Sequence, residues 1–212
     1  MKSKELTVVI VTFKSEEKIS KCLKSISKEI PVIIVENSNN KKFKDKVEND
    51  FNNVNCILTG KNEGYAIANN IGLKLVQTKY ALVLNPDTIL GKETIQTFLE
   101  IANRFNDFWL LGPSNDQMKN LNFNEKDLIE VDNLKGFAVF FNLIKFNQIY
   151  FDENFFLFFE EIDLCRRVKK NNGKIYLGKN INIEHEGSSS VNKNYPIELE
   201  KNRNWHWMWS IF

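Results

Sequence analysis

The chain has 212 residues, 42% hydrophobic and 26% charged, a globular profile with enough apolar material for one sizeable core. This excludes a disordered, collagen-like or disulfide-stapled fold, and at about 150 residues per domain it argues for one large domain over 1–212. Twenty-nine basic residues nearly cancel 27 acidic ones, and a net charge of +2 gives no field for wrapping a nucleic-acid backbone, so nucleic acid is not an expected partner.

In chain order, Met1 to Glu5 runs directly into an apolar segment with no small-residue cleavage site, and no stretch reaches the roughly 18 apolar residues of a membrane span. The expectation is a cytoplasmic chain that is neither exported nor threaded through a bilayer. Cys22, Cys56 and Cys165 are odd in number and widely spaced, which fits a reducing compartment better than a zinc set or a disulfide framework. Leu6 to Phe13 reads as a buried strand. Ser15-Glu16-Glu17 then caps a helix carrying Ile19, Cys22, Leu23 and Ile26 on one face, and Pro31 ends that unit. The Asn-Lys cluster from Asn39 to Lys42 reads as solvated loop. Val32 to Val35, Val54 to Leu58 and Tyr80 to Leu84 read as further buried strands, with a helix through Ile67, Ile71 and Leu75 before the last. Strands alternating with helices predict a doubly wound, mostly parallel α/β sheet. After about residue 112 the alternation loosens and aromatics accumulate, which predicts a second half packed on the first as a subdomain.

Such a sheet binds ligands beyond the carboxyl ends of its strands, so the informative residues are Thr12, Glu36-Asn37, Asn62-Glu63-Gly64 and Asn85-Pro86-Asp87. The first βα turn, Thr12 to Ser15, has no glycine, which excludes a G-x-G-x-x-G dinucleotide loop and a Walker-type phosphate loop. Asp87 stands where a cation bridging two phosphates would need a hard oxygen ligand; the alternative is an Asn-Pro turn whose Asp caps the next helix. Glu36 could accept hydrogen bonds from a base or ribose. Glu160-Glu161-Ile162-Asp163 follows the apolar run Phe155 to Phe159, and its acids could serve only the helix dipole. Enclosed by those aromatics and by Leu164-Cys165, a desolvated carboxylate there would gain the raised pKa of a general base. His185 follows a short strand, Ile181 to Ile183, and becomes a metal ligand if it lies near Asp87. Trp205, Met208, Trp209 and Phe212 fall at helical spacing, either as core or as a surface for a membrane or a second subunit, with Lys201 and Arg203 beside them for anionic headgroups.

Taken in order, Val8 to Phe13, Val32 to Asn37, Asn62-x-Gly64-x-Ala66-x-Ala68-Asn69-x-x-Gly72, Leu84-Asn85-Pro86-Asp87, Gly136-Phe137-Ala138, Phe155 to Arg167 and His185-x-Gly187 resemble the family 2 glycosyltransferases of the rhamnosyltransferase-like branch. The resemblance implies a GT-A fold, with a nucleotide-sugar-binding half over about 1–112 and an acceptor-side half over about 113–212. It implies an inverting transfer from a nucleotide-sugar donor to a glycan or lipid-linked acceptor, assisted by a divalent cation, Mn²⁺ or Mg²⁺, in bacterial surface polysaccharide assembly. The setting would be the cytoplasm or the inner face of the plasma membrane. It makes Thr12, Glu36, Asn62, Gly64, Asn69, Asn85 and Asp87 donor contacts, Asp87 and His185 the metal ligands, and Glu161 or Asp163 the catalytic base. Asn85 stands where many members carry the first Asp of a D-x-D element, and Glu161 where many carry Asp. Many members also continue beyond the position of Phe212, which implies a short form or a truncated chain. A binding module of the same fold without turnover, and a sugar nucleotidyltransferase, are the other readings; the latter would need a Gly-rich, Arg-containing loop that Thr12 to Ser15 does not supply.

Overall fold

The computed structural model describes residues 5–114, 127–185 and 205. The expected C-terminal aromatic helix, apart from Trp205, and Gly187 of the His185 segment lie outside the described residues. β1 (Leu6–Thr12), β2 (Val32–Glu36), β3 (Val54–Leu58) and β4 (Tyr80–Leu84) are parallel neighbours in the order β3-β2-β1-β4. β1, β2 and β4 are buried on both faces, which accounts for their unbroken apolar runs.

The second half continues the same sheet. β8 (Ala138–Asn142) runs antiparallel between β4 and β6 (Phe108–Pro113), β9 (Lys174–Gly178) lies parallel to β6, and β7 (Leu128–Glu130) closes the edge. The eight strands follow the order β3-β2-β1-β4-β8-β6-β9-β7. The residues after 112 therefore join the sheet of the first half, with β8 inserted between β4 and β6, where packing onto it as a subdomain was expected. β5 (Thr88–Leu90) and β10 (Ile183–His185) form a separate antiparallel pair.

Helices cover both faces. α1 (Glu16–Ser25), α2 (Lys41–Asp50) and α4 (Thr94–Arg104) pack on one side through Ile19, Leu23, Phe43, Val47 and Phe98. α3 (Tyr65–Lys74) and α5 (Glu160–Lys170) pack on the other through Ala66, Leu73, Leu164 and Val168. α3 lies so close to the sheet that a β-carbon on Gly72 would fall 2.5 Å from Val9 Cγ1. Ser15 occupies the N-cap position of α1, but its hydroxyl turns back to the carbonyl of Phe13, and the expected side-chain cap does not form. The cluster read as loop opens α2: Asn40 Oδ1 accepts from the Phe43 amide at 3.0 Å, and Phe43 and Val47, four residues apart, bury one face. Among the described residues no helix is long and apolar enough to cross a membrane.

Candidate functional site

Strand order reverses between β1 and β4, and the crevice beyond their carboxyl ends is where an open α/β sheet holds a ligand. Beyond β4 the turn at residues 85–87 is pinned by its backbone: the Asn85 amide donates to Phe137 O at 2.9 Å, and Thr88 Oγ1 donates to Asn85 O at 2.7 Å. A strand follows, β5, so Asp87 caps no helix. Its side chain is 1% exposed, and among the described residues neither carboxylate oxygen has a hydrogen-bond partner. Burial alone would raise this carboxyl, but His185 and the charge of Lys18 outweigh it and hold the group below the ordinary Asp value.

His185 arrives through β10. Its pairing with Thr88 across the β5–β10 ladder sets Nε2 3.3 Å from Asp87 Oδ1, a close approach without hydrogen-bond alignment. The strand lies two residues later than predicted, because Ile181 is buried in the core instead. Phe137 stacks on the imidazole with ring centroids 4.6 Å apart and planes within 9°. A buried carboxylate without a donor, faced by an imidazole, fits a divalent cation. Among the described residues no group of three or more acids, histidines or cysteines could complete the site, so the other ligands would be substrate phosphates and water, the usual arrangement for Mg²⁺ at a nucleotide.

The acids of the helix start lie on α5. Phe158 and Phe159 precede it with φ of 72° and 67°, a left-handed pair rare for bulky residues and costing about 1–2 kcal/mol each. Glu160 is 5% exposed and its Oε2 has no hydrogen-bond partner among the described residues; burial, then the neighbouring Glu161, push its carboxyl up to about 8. Glu161 is partly exposed and also raised by burial, although backbone N–H groups at the helix start oppose the rise. Its side chain lies over Gly136, where a β-carbon would sit 3.4 Å from Glu161 Cγ. Asp163 is tied to Arg167 at 2.6 Å, and Arg167 also donates to Tyr150 O. The adjacent residues Gly136 and Phe137 thus touch Glu161 on one side and His185 on the other.

The remaining predicted contacts separate into two groups. Thr12, at the end of β1, has a buried hydroxyl without a hydrogen-bond partner among the described residues, and Asn85, just beyond β4, is partly exposed, so both lie at the crevice. Asn62 is exposed, with Oδ1 accepting from Asn37 Nδ2 at 2.9 Å and from the Gly64 amide at 3.1 Å. Glu36 is buried and folded back on its own loop, accepting from the Ser38 amide, the Ser38 hydroxyl and, at 2.6 Å, the Asn40 amide. Gly64 is needed for packing: at φ +84° its missing β-carbon leaves room for Phe156 O, which would otherwise lie 2.6 Å away and which accepts from the Tyr65 amide. Asn69 is fully buried inside α3 with Nδ2 donating to Tyr65 O. Sequence reasoning missed Tyr65, whose hydroxyl reaches Asn85 Oδ1 at 2.9 Å, whereas Asn37, singled out beside Glu36, holds the 59–64 loop. A tyrosine inside the small-residue motif was the available signal for the first. Two clefts of about 270 and 300 Å³, one between α1 and α2 and one around Asn70 and Tyr150, touch neither Asp87 nor Glu161.

The profile of glycosyl transferase family 2 matches residues 7–166, well over half of the chain. The chain belongs to that family. A hexosyltransferase of low-salt glycan biosynthesis, Agl10 of Haloferax volcanii, is 27% identical over 195 residues, 79% of this chain and 62% of the relative. A teichoic acid poly(glycerol phosphate) polymerase of Staphylococcus epidermidis is 33% identical over 107 residues, 47% of this chain and 15% of that protein. The chain therefore spans less than two thirds of these curated relatives. Among solved structures, S. aureus TarS 1–349 in complex with UDP-GlcNAc superposes with a TM-score of 0.67 at 19% identity, over 95% of this chain and 65% of that one. GalNAc-T7 with UDP, GalNAc and Mn²⁺ gives 0.71 at 10% identity, over 91% and 45%. These likenesses establish the mostly parallel, Rossmann-like GT-A fold.

Proposed function

We propose that this family 2 chain transfers a sugar from a nucleotide-sugar donor to an acceptor hydroxyl with inversion at the anomeric carbon. The observation that carries the reading is the pairing across residues 136–137, with a buried Asp87 faced by His185 on one side and Glu161, its carboxyl raised by burial, on the other. Inversion needs one carboxylate at the leaving diphosphate and one at the incoming hydroxyl, with the sugar between them. Glu161 takes the proton of the acceptor hydroxyl, whose oxygen forms the new bond to the anomeric carbon as the bond from that carbon to the diphosphate oxygen breaks. Asp87 and His185 would hold the divalent cation, and when bound it offsets the charge left on the departing nucleoside diphosphate. Burial of Asp87 keeps its carboxylate in one orientation, and Phe137 holds the imidazole plane. Asp163, engaged by Arg167, is a poorer base than Glu161.

The ordered motifs keep the rhamnosyltransferase-like branch as our working placement. With a hexosyltransferase of glycan biosynthesis and a teichoic acid polymerase among its relatives, we take the acceptor to be a surface glycan or a lipid-linked precursor. The deciding experiment is a thermal-shift screen of nucleoside diphosphates and nucleotide sugars with and without Mn²⁺, on the wild type and on Asp87→Ala. At least one nucleotide should raise the melting temperature more with Mn²⁺ than without, and Asp87→Ala should abolish that extra rise while keeping its own transition. Identical shifts in the two proteins would remove Asp87 from the site.

A further inference from the structure

We infer that Tyr65 is a positioning residue that fixes the Asn85 side chain so that its amide N–H groups, and not its oxygen, face the donor diphosphate. The inference rests on the crevice being a nucleotide-sugar site. The backbone of Asn85 is already committed, its N–H to Phe137 O and its carbonyl to Thr88 Oγ1, which leaves the orientation of the side chain to be set by what its two prongs meet. One prong meets Tyr65: the hydroxyl lies 2.9 Å from Oδ1 and 3.3 Å from Gly136 O, and its single proton goes to the nearer acceptor. An amide whose oxygen is held this way turns Nδ2 to the opposite side. Asn85 is partly exposed there.

The consequence is electrostatic. An aspartate at position 85 would add a negative charge two residues from Asp87, and a diphosphate would then approach only with a cation between. An amide donor at the same place removes that repulsion and adds an attraction for a phosphate oxygen. The site should therefore keep measurable affinity for a nucleoside diphosphate without a metal, with Asn85 supplying the contact and Tyr65 keeping it in register.

The test is calorimetric titration of UDP, GDP and dTDP, in excess Mn²⁺ and in EDTA, into wild type, Asn85→Ala, Asn85→Asp, Tyr65→Phe and the double variant Tyr65→Phe/Asn85→Ala, with melting temperatures as the fold control. The nucleotide that binds wild type in Mn²⁺ should still bind in EDTA. Asn85→Ala should weaken that metal-free binding about tenfold, the worth of one charge-assisted hydrogen bond. Tyr65→Phe should show a similar loss, and the double variant no more than Asn85→Ala, because the hydroxyl acts through the amide. Asn85→Asp keeps the acceptor for Tyr65, so it should lose metal-free binding and become strictly Mn²⁺-dependent. Metal-free binding that is absent in wild type, or unchanged or tighter in Asn85→Ala, overturns the inference. Additive losses in the double variant, or metal-free binding as tight in Tyr65→Phe as in wild type, overturn the part played by Tyr65. Failure of every nucleotide to bind wild type even with Mn²⁺ removes the nucleotide-sugar reading itself.

Discussion

Glu160→Gln should stabilise the protein, and by an amount that grows with pH. The wild-type carboxyl is buried with one oxygen unpartnered, and burial beside Glu161 lifts it from 4.5 to about 8. The folded state therefore holds the Glu160 proton more tightly than the unfolded chain does. Stability from this group is complete below about pH 4.5, declines as pH rises, and is fully lost above about pH 8. At about 1.36 kcal/mol per pH unit, the loss is about 3 kcal/mol at pH 7 and approaches about 5 kcal/mol at the plateau. Glutamine reproduces the neutral acid and does not titrate. Urea unfolding of both proteins should therefore show their stability gap widening by about 3 kcal/mol between pH 5 and pH 8, or about 6–12 °C in a thermal melt. A gap that stays constant across that range would show that Glu160 ionises in the folded protein as it does in the unfolded chain, and the desolvated helix start would then be wrong.

Two further substitutions separate chemistry from packing. Glu161→Gln should slow transfer by at least about a hundredfold with donor binding unchanged, whereas Asp163→Asn should cost transfer far less, because the Asp163 carboxylate is tied to Arg167; steady-state rates with nucleotide-sugar donor decide, and the reverse ranking would move the base to Asp163. Gly64→Ala should destabilise the fold by at least about 2 kcal/mol, since it combines a left-handed φ with a β-carbon 2.6 Å from Phe156 O, and unchanged urea stability would contradict the packing role given to this glycine.

The parallel half of the sheet was legible because β1, β2 and β4 are buried on both faces and so consist of uninterrupted apolar residues. α2 was hidden by composition: lysines and acids dominate Lys41–Asp50, and its buried residues are Phe43 and Val47. A polar helix held by two buried side chains reads as loop until the sheet it covers is in place. Glu36 is a different case. A carboxylate at the end of a buried strand looks aimed at a ligand, yet the chain turns so sharply at residues 37–40 that the nearest N–H donors belong to that turn.

Asp87 and His185 lie nearly a hundred residues apart, and no periodicity joins them. What joins them is the β5–β10 ladder, in which His185 pairs with Thr88, so a shift of one residue in that register would turn the imidazole to the other face and leave the buried carboxylate without it. The same dependence on tertiary register holds across residues 136–137. They lead into β8, which is paired with β4 so that Ala138 stands opposite Leu84, and this pairing sets Phe137 O against the Asn85 amide, Phe137 against His185 and Gly136 against Glu161. Because the strand that carries this junction lies inside one continuous sheet, the side of the crevice that would hold the donor and the side that would meet the acceptor share a structural member. A cut near residue 112 therefore divides the site as well as the chain, and the two halves are better regarded as the two edges of one crevice than as separable modules.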